Sequence, residues 1–152
     1  MSNQRQIYFA GAIRGGRNDQ ALYLEIIARL KKYGQVLTEH IGDPSLSSAG
    51  EDCSNQQIHD RDLAWLKNAD YLVAEVTTPS LGVGYEIGKA TEWGKSVLCL
   101  FRSQEGRVLS AMIAGCGQVM VREYRTAEDL DSIFEEFFAL IRTASGSERR
   151  SQ

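Results

Sequence analysis

The chain has 152 residues, a formal net charge of −3, a hydrophobic fraction of 43% and a charged fraction of 24%. These values are typical of one globular domain and exclude a collagen-like, coiled-coil or intrinsically disordered chain. They lack the basic excess of duplex-binding proteins, so no nucleic acid polymer is expected as a partner, and no apolar run approaches the roughly 20 residues that a membrane span needs.

Short apolar runs alternate with helical patterns along the chain. The run Gln6–Ala10 predicts the first strand, and residues 19–32 predict the first helix because Leu22, Ile26 and Leu30 recur at helical spacing. The further predicted elements, in chain order, are strand 35–38, helix 55–68, strand 71–76, helix 83–93, strand 97–101, a short helix within 106–114, strand 119–123, helix 127–143 and a disordered tail at 145–152.

Strand–helix alternation of this kind predicts a parallel sheet with helices on both faces. Five strands fit a single α/β domain over residues 1–144, a flavodoxin-like, doubly wound five-stranded parallel sheet. In such sheets the ligand lies outside the carboxyl ends of the strands, near the topological switch point. The functional residues are therefore expected in the loops that follow the strands.

The loop after the first strand is rich in glycine and arginine. Glycines allow backbone N–H groups to approach an anion, and arginines donate in a fork that suits phosphate. The sequence therefore favours a phosphate-binding loop, although an ordinary tight turn with solvated arginines stays open. The loop comprises Gly11, Ala12, Ile13, Arg14, Gly15, Gly16 and Arg17.

Two acidic residues fall on helix faces where apolar side chains are expected. Glu86 is three residues after Val83, and Asp62 is four after Ile58. A buried carboxylate is costly unless it is hydrogen-bonded or functional. Paired carboxylates are suited to cleavage at an anomeric carbon, and the helix N-terminus is expected to favour ionised Glu86. An Asp62 that merely pairs with a neighbouring arginine remains the structural alternative.

Four segments together resemble a known family: YFAGAIRGGR (8–17), VLTEH (36–40), AEVTTPSLGVGYEIG (74–88) and LCLFRSQEGRVLSAMI (98–113). They resemble the 2′-deoxynucleoside 5′-phosphate N-hydrolases of the nucleoside deoxyribosyltransferase superfamily. The resemblance implies a flavodoxin-like homodimer, without metal or organic cofactor. It also implies cleavage of a deoxynucleoside monophosphate to free base and 2-deoxyribose 5-phosphate.

The same resemblance assigns roles to individual residues. It makes Glu86 the nucleophile that attacks C1′, Asp62 its partner in proton transfer, and Tyr8 a sugar-pocket residue that supports Glu86. The remaining residues are implied in substrate binding: the loop 11–17 with Arg14 on the phosphate, His40 near the base, Ser80 and Gly82 of the PSLG turn, and Ser110 with Ala111 and Met112 from the partner subunit. Ala12 stands where the family often has serine.

Three other activities remain open at this point. A CMP-type ribonucleotide N-hydrolase is less favoured because the Tyr8 hydroxyl would crowd a 2′-hydroxyl. A deoxyribosyltransferase would incorporate a free base into nucleotide, and a nucleotide-binding sensor would bind without releasing base. The sequence does not decide which base is preferred.

The three cysteines bear on the cellular compartment. Cys53, Cys99 and Cys116 form no Cys-x-x-Cys or Cys/His ligand pattern, so neither a zinc site nor an iron–sulfur site is expected. Together with a strand pattern that begins almost at the N-terminus, they predict a reduced protein of the cytoplasm or nucleus without a signal peptide.

Overall fold

The computed structural model describes residues 4–13, 19–38 and 53–148. Strands and helices alternate throughout these residues. The strands are β1 (Gln6–Ala10), β2 (Gln35–Leu37), β3 (Tyr71–Glu75), β4 (Ser96–Arg102) and β5 (Val119–Tyr124), and the helices are α1 (Gln20–Leu30), α2 (Asn55–Asn68), α3 (Leu81–Glu92), α4 (Ala111–Ala114) and α5 (Asp129–Glu148).

The strands form one parallel sheet in the order β2-β1-β3-β4-β5. This order is that of a flavodoxin-like doubly wound sheet, so the predicted fold class is confirmed. Every residue of β3 is buried, as expected for a central strand covered by helices on both faces. The topological switch point lies between β1 and β3, where the chain changes its direction of travel across the sheet.

Alternating side chains divide the core into two layers. Ile7 and Phe9 of β1 pack into the layer under α1 and α5, whereas Tyr8 and Ala10 pack into the layer under α2 and α3. The alternation follows from the two-residue period of a strand. It places the Tyr8 side chain on the face that also carries α3.

Several predicted boundaries shift by one to five residues. Strand β2 ends at Leu37, because Thr38 has a left-handed φ of 66° and donates its hydroxyl to the Phe9 carbonyl. Helix α3 begins at Leu81, two residues earlier than predicted, after an N-cap at Ser80.

The predicted tail is wrong for residues 145–148, which continue helix α5. No proline interrupts this stretch, and each further helical residue adds a backbone hydrogen bond to a helix already nucleated. Residues 149–152 lie outside the described part of the chain.

None of the helices in the described part of the chain is long and apolar enough to cross a bilayer.

Candidate active site

Glu86 occupies the second turn of α3 and faces the sheet. The Tyr8 hydroxyl of β1 hydrogen-bonds to the Glu86 carboxylate. Oε2 of the Glu86 carboxylate is buried and has no hydrogen-bond partner within the described residues. This oxygen is therefore left for a ligand.

Burial governs the ionisation of this pair. The pKa of Glu86 is raised to about 7: desolvation raises it most, the Tyr8 hydrogen bond lowers it, and the negative charge of Asp62 raises it. Desolvation thus favours the protonated form of Glu86, the opposite of the effect expected from the helix N-terminus. Burial also raises the pKa of Tyr8, so its hydroxyl stays protonated and acts as the donor.

Asp62 lies on α2 and shares a cavity with Glu86. The cavity has a volume of about 320 Å³ and is also lined by His59, Gly82 and Tyr85. The two carboxylates predicted to face each other do meet here. Gly82, predicted as a substrate-binding residue, lines the same space.

Arg61 binds the Asp62 carboxylate. Its Nε and Nη2 donate to Oδ1 of Asp62 at 2.9 and 2.7 Å. The arginine pairing that the sequence left as a structural alternative is thus present, together with the placement of Asp62 beside Glu86. Sequence reasoning gave Arg61 no role, since its position seemed to face away from the apolar side of α2.

His59 and Tyr85 connect α2 to α3 at the edge of this cavity. His59 Nε2 lies 3.2 Å from the Tyr85 hydroxyl, and His59 Nδ1 lies 2.8 Å from Asp60 Oδ1. Sequence analysis missed this pair. The available signal was positional: His59 is three residues before Asp62 and Tyr85 directly precedes Glu86.

The first loop is described only at its start. Ala12 is buried and donates its N–H to the Tyr23 hydroxyl at 3.2 Å, while Ile13 packs against the α1/α5 layer. A Cβ on Gly11 would lie 3.0 Å from the Tyr23 ring, so any larger residue in this turn would have to displace the ring. The predicted phosphate ligands of this loop, Arg14, Gly15, Gly16 and Arg17, lie outside the described residues, as does His40.

Ser80, Ser110 and Met112 line a different cavity, of about 510 Å³, on the other side of the first turn of α3. Ser80 Oγ accepts from Val83 N at 3.3 Å, and Ser110 Oγ accepts from Met112 N at 3.3 Å, so each hydroxyl caps a helix. Ala111, predicted to lie near the base, is exposed. One chain therefore does not bring Ser110, Ala111 or Met112 to the carboxylates.

A second buried carboxylate lies on the opposite face of the sheet. Glu75 is 1% exposed and accepts from Tyr124 and from the Thr77 backbone. These hydrogen bonds account for the burial of Glu75 in structural terms. Across residues 4–13, 19–38 and 53–148, no three His, Cys, Asp or Glu side chains cluster so as to hold a metal ion.

The sequence matches the nucleoside 2-deoxyribosyltransferase family over residues 7–144. The chain belongs to this family. The match spans every strand of the sheet and both candidate carboxylates, so the family resemblance drawn from the four segments is confirmed.

Curated relatives give a narrower comparison. The chain is 54% identical to the 5-hydroxymethyl-dUMP N-hydrolase of Mus musculus, with 87% of this chain and 79% of that protein covered. It is 53% identical to the 5-hydroxymethyl-dUMP N-hydrolase of Rattus norvegicus, with 93% and 91% covered.

Among solved structures, the chain resembles a CMP N-glycosidase from Clostridium botulinum with a TM-score of 0.62. That comparison covers 88% of this chain and 99% of the other, at 19% identity. At this identity the likeness concerns the fold, which the two proteins share.

Proposed function

We propose that this protein hydrolyses the N-glycosidic bond of 2′-deoxynucleoside 5′-monophosphates, releasing the free base and 2-deoxyribose 5-phosphate. The observation that carries the proposal is the Glu86 carboxylate, which interacts with the Tyr8 hydroxyl, keeps Oε2 unpartnered and lines one cavity with Asp62. The relatives named as 5-hydroxymethyl-dUMP N-hydrolases support this reaction class.

In the proposed first step, ionised Glu86 attacks C1′ while the base leaves with the electrons of the C1′–N bond. The transition state resembles an oxocarbenium ion, and the product is a glycosyl-enzyme. Water then attacks C1′, and the carboxylate of Glu86 leaves. A carboxyl with a pKa near 7 is partly ionised at neutral pH, and the Tyr8 hydrogen bond stabilises the ionised form that the attack requires.

Tyr8 also supports a preference for deoxynucleotides. Its side chain is 1% exposed and its hydroxyl is committed to Glu86, next to the position proposed for the sugar. A 2′-hydroxyl would need space and a hydrogen-bond partner at that place. This argues against a ribonucleotide N-hydrolase.

We assign phosphate binding to three parts of the chain: the Arg14 loop, the Ser80 hydroxyl at the N-terminus of α3, and Ser110 of a second copy. Helix N-termini favour anions because their first backbone N–H groups are unpaired. Ser80 already accepts from Val83 N, but its hydroxyl proton remains able to donate to a phosphate oxygen.

The placement of Ser110 supports a homodimer. Leu81, Val108 and Met112 are 96%, 92% and 83% exposed and surround the cavity that contains Ser110. Exposed apolar groups that cluster in this way mark an interaction surface. We propose that a second copy covers this surface and presents Ser110, Ala111 and Met112 to the nucleotide.

The three unpaired cysteines support a reducing compartment. We propose the cytoplasm, with the nucleus as the alternative.

Base release from a panel of monophosphates tests the function. The panel contains the common deoxynucleotides, 5-hydroxymethyl-dUMP, CMP and the matching nucleosides. We expect release from deoxynucleoside monophosphates, and a loss of about 10³-fold or more in kcat for Glu86→Gln with substrate binding kept.

Glu92→Gln is the matched control, because Glu92 is an exposed carboxylate at the end of the same helix. Wild-type turnover by Glu86→Gln, or equal use of nucleosides and monophosphates, would contradict the proposal. Exchange of labelled base into nucleotide would identify a transferase instead.

A further inference from the structure

The Asp62 carboxylate is held by its neighbour in sequence. Both hydrogen bonds from Arg61 end on the same oxygen, Oδ1. The two side chains are 28% and 23% exposed, so the pair is partly withdrawn from solvent. Charge-assisted hydrogen bonds in such a place orient a carboxylate and favour its ionised form.

Arg61 is itself braced by the helix that carries it. Its guanidinium lies 4.8 Å from the centre of the Trp65 ring, one turn further along α2. Trp65 in turn packs against the core layer under α2 and α3. A planar guanidinium can stack on a ring and donate from its edge at the same time, which a lysine ammonium cannot do.

Asp62 lies among several titratable and charged groups. In the described part of the chain, the titratable and charged groups around it are Arg61 and His59 from α2, Tyr8 from β1, and Glu86 and Tyr85 from α3. Arg61 is the permanent cation of this group. When two carboxyl groups share a cavity, a cation beside one directs the shared proton to the other.

Resting on the proposed function, we propose that Arg61 is a positioning residue that holds Asp62 as an ionised hydrogen-bond acceptor, so that Asp62 acts as the base of the second step. The geometry places the fixed cation on Asp62 and leaves Glu86 with an unpartnered oxygen. In this proposal Asp62 removes a proton from water in the second step and does not protonate the leaving base in the first.

The proton balance is as follows. In the first step the base leaves as its anion and takes a proton from solvent water. In the second step the oxygen of the attacking water bonds to C1′, the bond from C1′ to Glu86 breaks with its electrons on the carboxylate, and the water proton passes to Asp62. Asp62 returns this proton to solvent, which restores the initial state.

Rapid-quench measurement of base release tests the assignment to the second step. In Asp62→Asn we expect a burst of one base per site, followed by turnover slowed about 10²-fold or more, because water activation is lost. Slow release without a burst would show that Asp62 acts in the first step, and it would overturn the assignment.

Arg61 is tested with Arg61→Gln and Arg61→Lys. In Arg61→Gln we expect kcat to fall about tenfold with KM changed much less, and the acid limb of the kcat–pH profile to move to higher pH. Arg61→Lys restores the positive charge without the paired guanidinium donors. It should therefore return the acid limb of the kcat–pH profile to its wild-type position and restore part of kcat. An unchanged profile in Arg61→Gln would leave Arg61 a structural residue only.

A double variant shows whether Arg61 acts through Asp62. If it does, adding Arg61→Gln to Asp62→Asn has no further effect on kcat; additive losses would overturn the inference. Arg122→Gln is the matched control, because Arg122 also binds a carboxylate with Nε and Nη2, that of Glu136, away from the cavity.

The inference can fail separately from the proposed function. NMR titration of the Asp62 carboxyl needs no turnover, and in Arg61→Gln its midpoint should move to higher pH. If the titration midpoint of Asp62 is the same in Arg61→Gln and wild type, Arg61 does not control the ionisation of Asp62 and the inference is overturned. If the midpoint moves but the wild-type protein releases no base, only the proposed function is refuted.

Discussion

Glu86 combines a reactive position with an energetic cost. Its carboxyl is largely withdrawn from solvent, and its pKa is raised to about 7, mainly by desolvation. Between the pKa of an unfolded glutamate and pH 7, the folded chain binds more protons than the unfolded one. The free energy of unfolding therefore falls as pH rises through this window, since the unfolded state ionises first.

This sign leads to a stability prediction for Glu86→Gln. Glutamine keeps the shape and can still accept from Tyr8, but it carries no charge to desolvate. At pH 8 the free energy of unfolding of the variant should exceed that of the wild type by about 2–3 kcal/mol. This difference should vanish toward pH 4.5. Urea unfolding at both pH values measures it.

Glu92→Gln is the control for this measurement because Glu92 is exposed on the same helix. A gain in Glu86→Gln that is equal at pH 4.5 and pH 8 would show that charge burial is not its cause. Loss of stability at pH 8 would contradict the sign.

For the individual side chains of the site, the sequence predicted their positions better than their charge states. Helical spacing was enough to place Glu86 and Asp62 toward the sheet. It could not predict that burial raises the pKa of Glu86, because desolvation depends on the packing of β1 against α3. Nor could it predict that Arg61 turns onto Trp65 and Asp62, because that depends on rotamers.

Helix α3 carries Glu86 and is capped at its N-terminus by Ser80, for which we propose two tasks. As N-cap its hydroxyl accepts from Val83 N, and as a phosphate ligand it would donate. Loss of an N-cap costs about 0.5–2 kcal/mol. Ser80→Ala should therefore lower stability by such an amount and also raise KM for monophosphates, without raising KM for nucleosides.

Ser54→Ala separates the two tasks. Ser54 caps α2 in a reciprocal capping box with Gln57, with bonds of 3.1 and 2.9 Å. Its loss should cost a similar amount of stability and leave the KM ratio of monophosphate to nucleoside unchanged. The two ratios, measured under matched conditions, decide whether Ser80 binds phosphate; equal ratios would show that it only caps α3.

The elements themselves were predictable because their periodicities are clear. Their ends were less so: α5 runs five residues beyond its predicted end, and Thr38 leaves the strand that was predicted to include it. Helix ends depend on caps and propagation, and strand ends depend on neighbours in the sheet. The order of strands followed from the alternation pattern together with the family resemblance.

For the molecule as a whole, the site as we propose it is larger than one chain. Glu86 and Asp62 line one cavity, whereas Ser110 and Met112 line another across the first turn of α3. A twofold interface is isologous, so each copy would complete the site of the other. Periodicity could not reveal this division, because Ser110 follows an irregular segment, residues 103–110, whose path no repeat pattern specifies.

Complementation between two inactive variants tests the shared site. Glu86→Gln lacks the nucleophile in every site, and Ser110→Ala weakens phosphate binding in every site. In a mixed dimer, the Ser110→Ala subunit keeps its own Glu86 and receives an intact Ser110 from its partner. An equal mixture, exchanged to equilibrium, should regain about one quarter of wild-type activity at low substrate, since half of the dimers are mixed and each has one intact site.

A Leu81→Glu change introduced into both variants is the control. Leu81 is 96% exposed within one chain, so the charge is tolerated in a monomer but opposes burial of the apolar surface between two copies. Sedimentation should then show monomers, and mixing should restore nothing. If Ser110 served its own chain, mixing would give only the average of the two separate variants, because no new combination of Glu86 and Ser110 would arise.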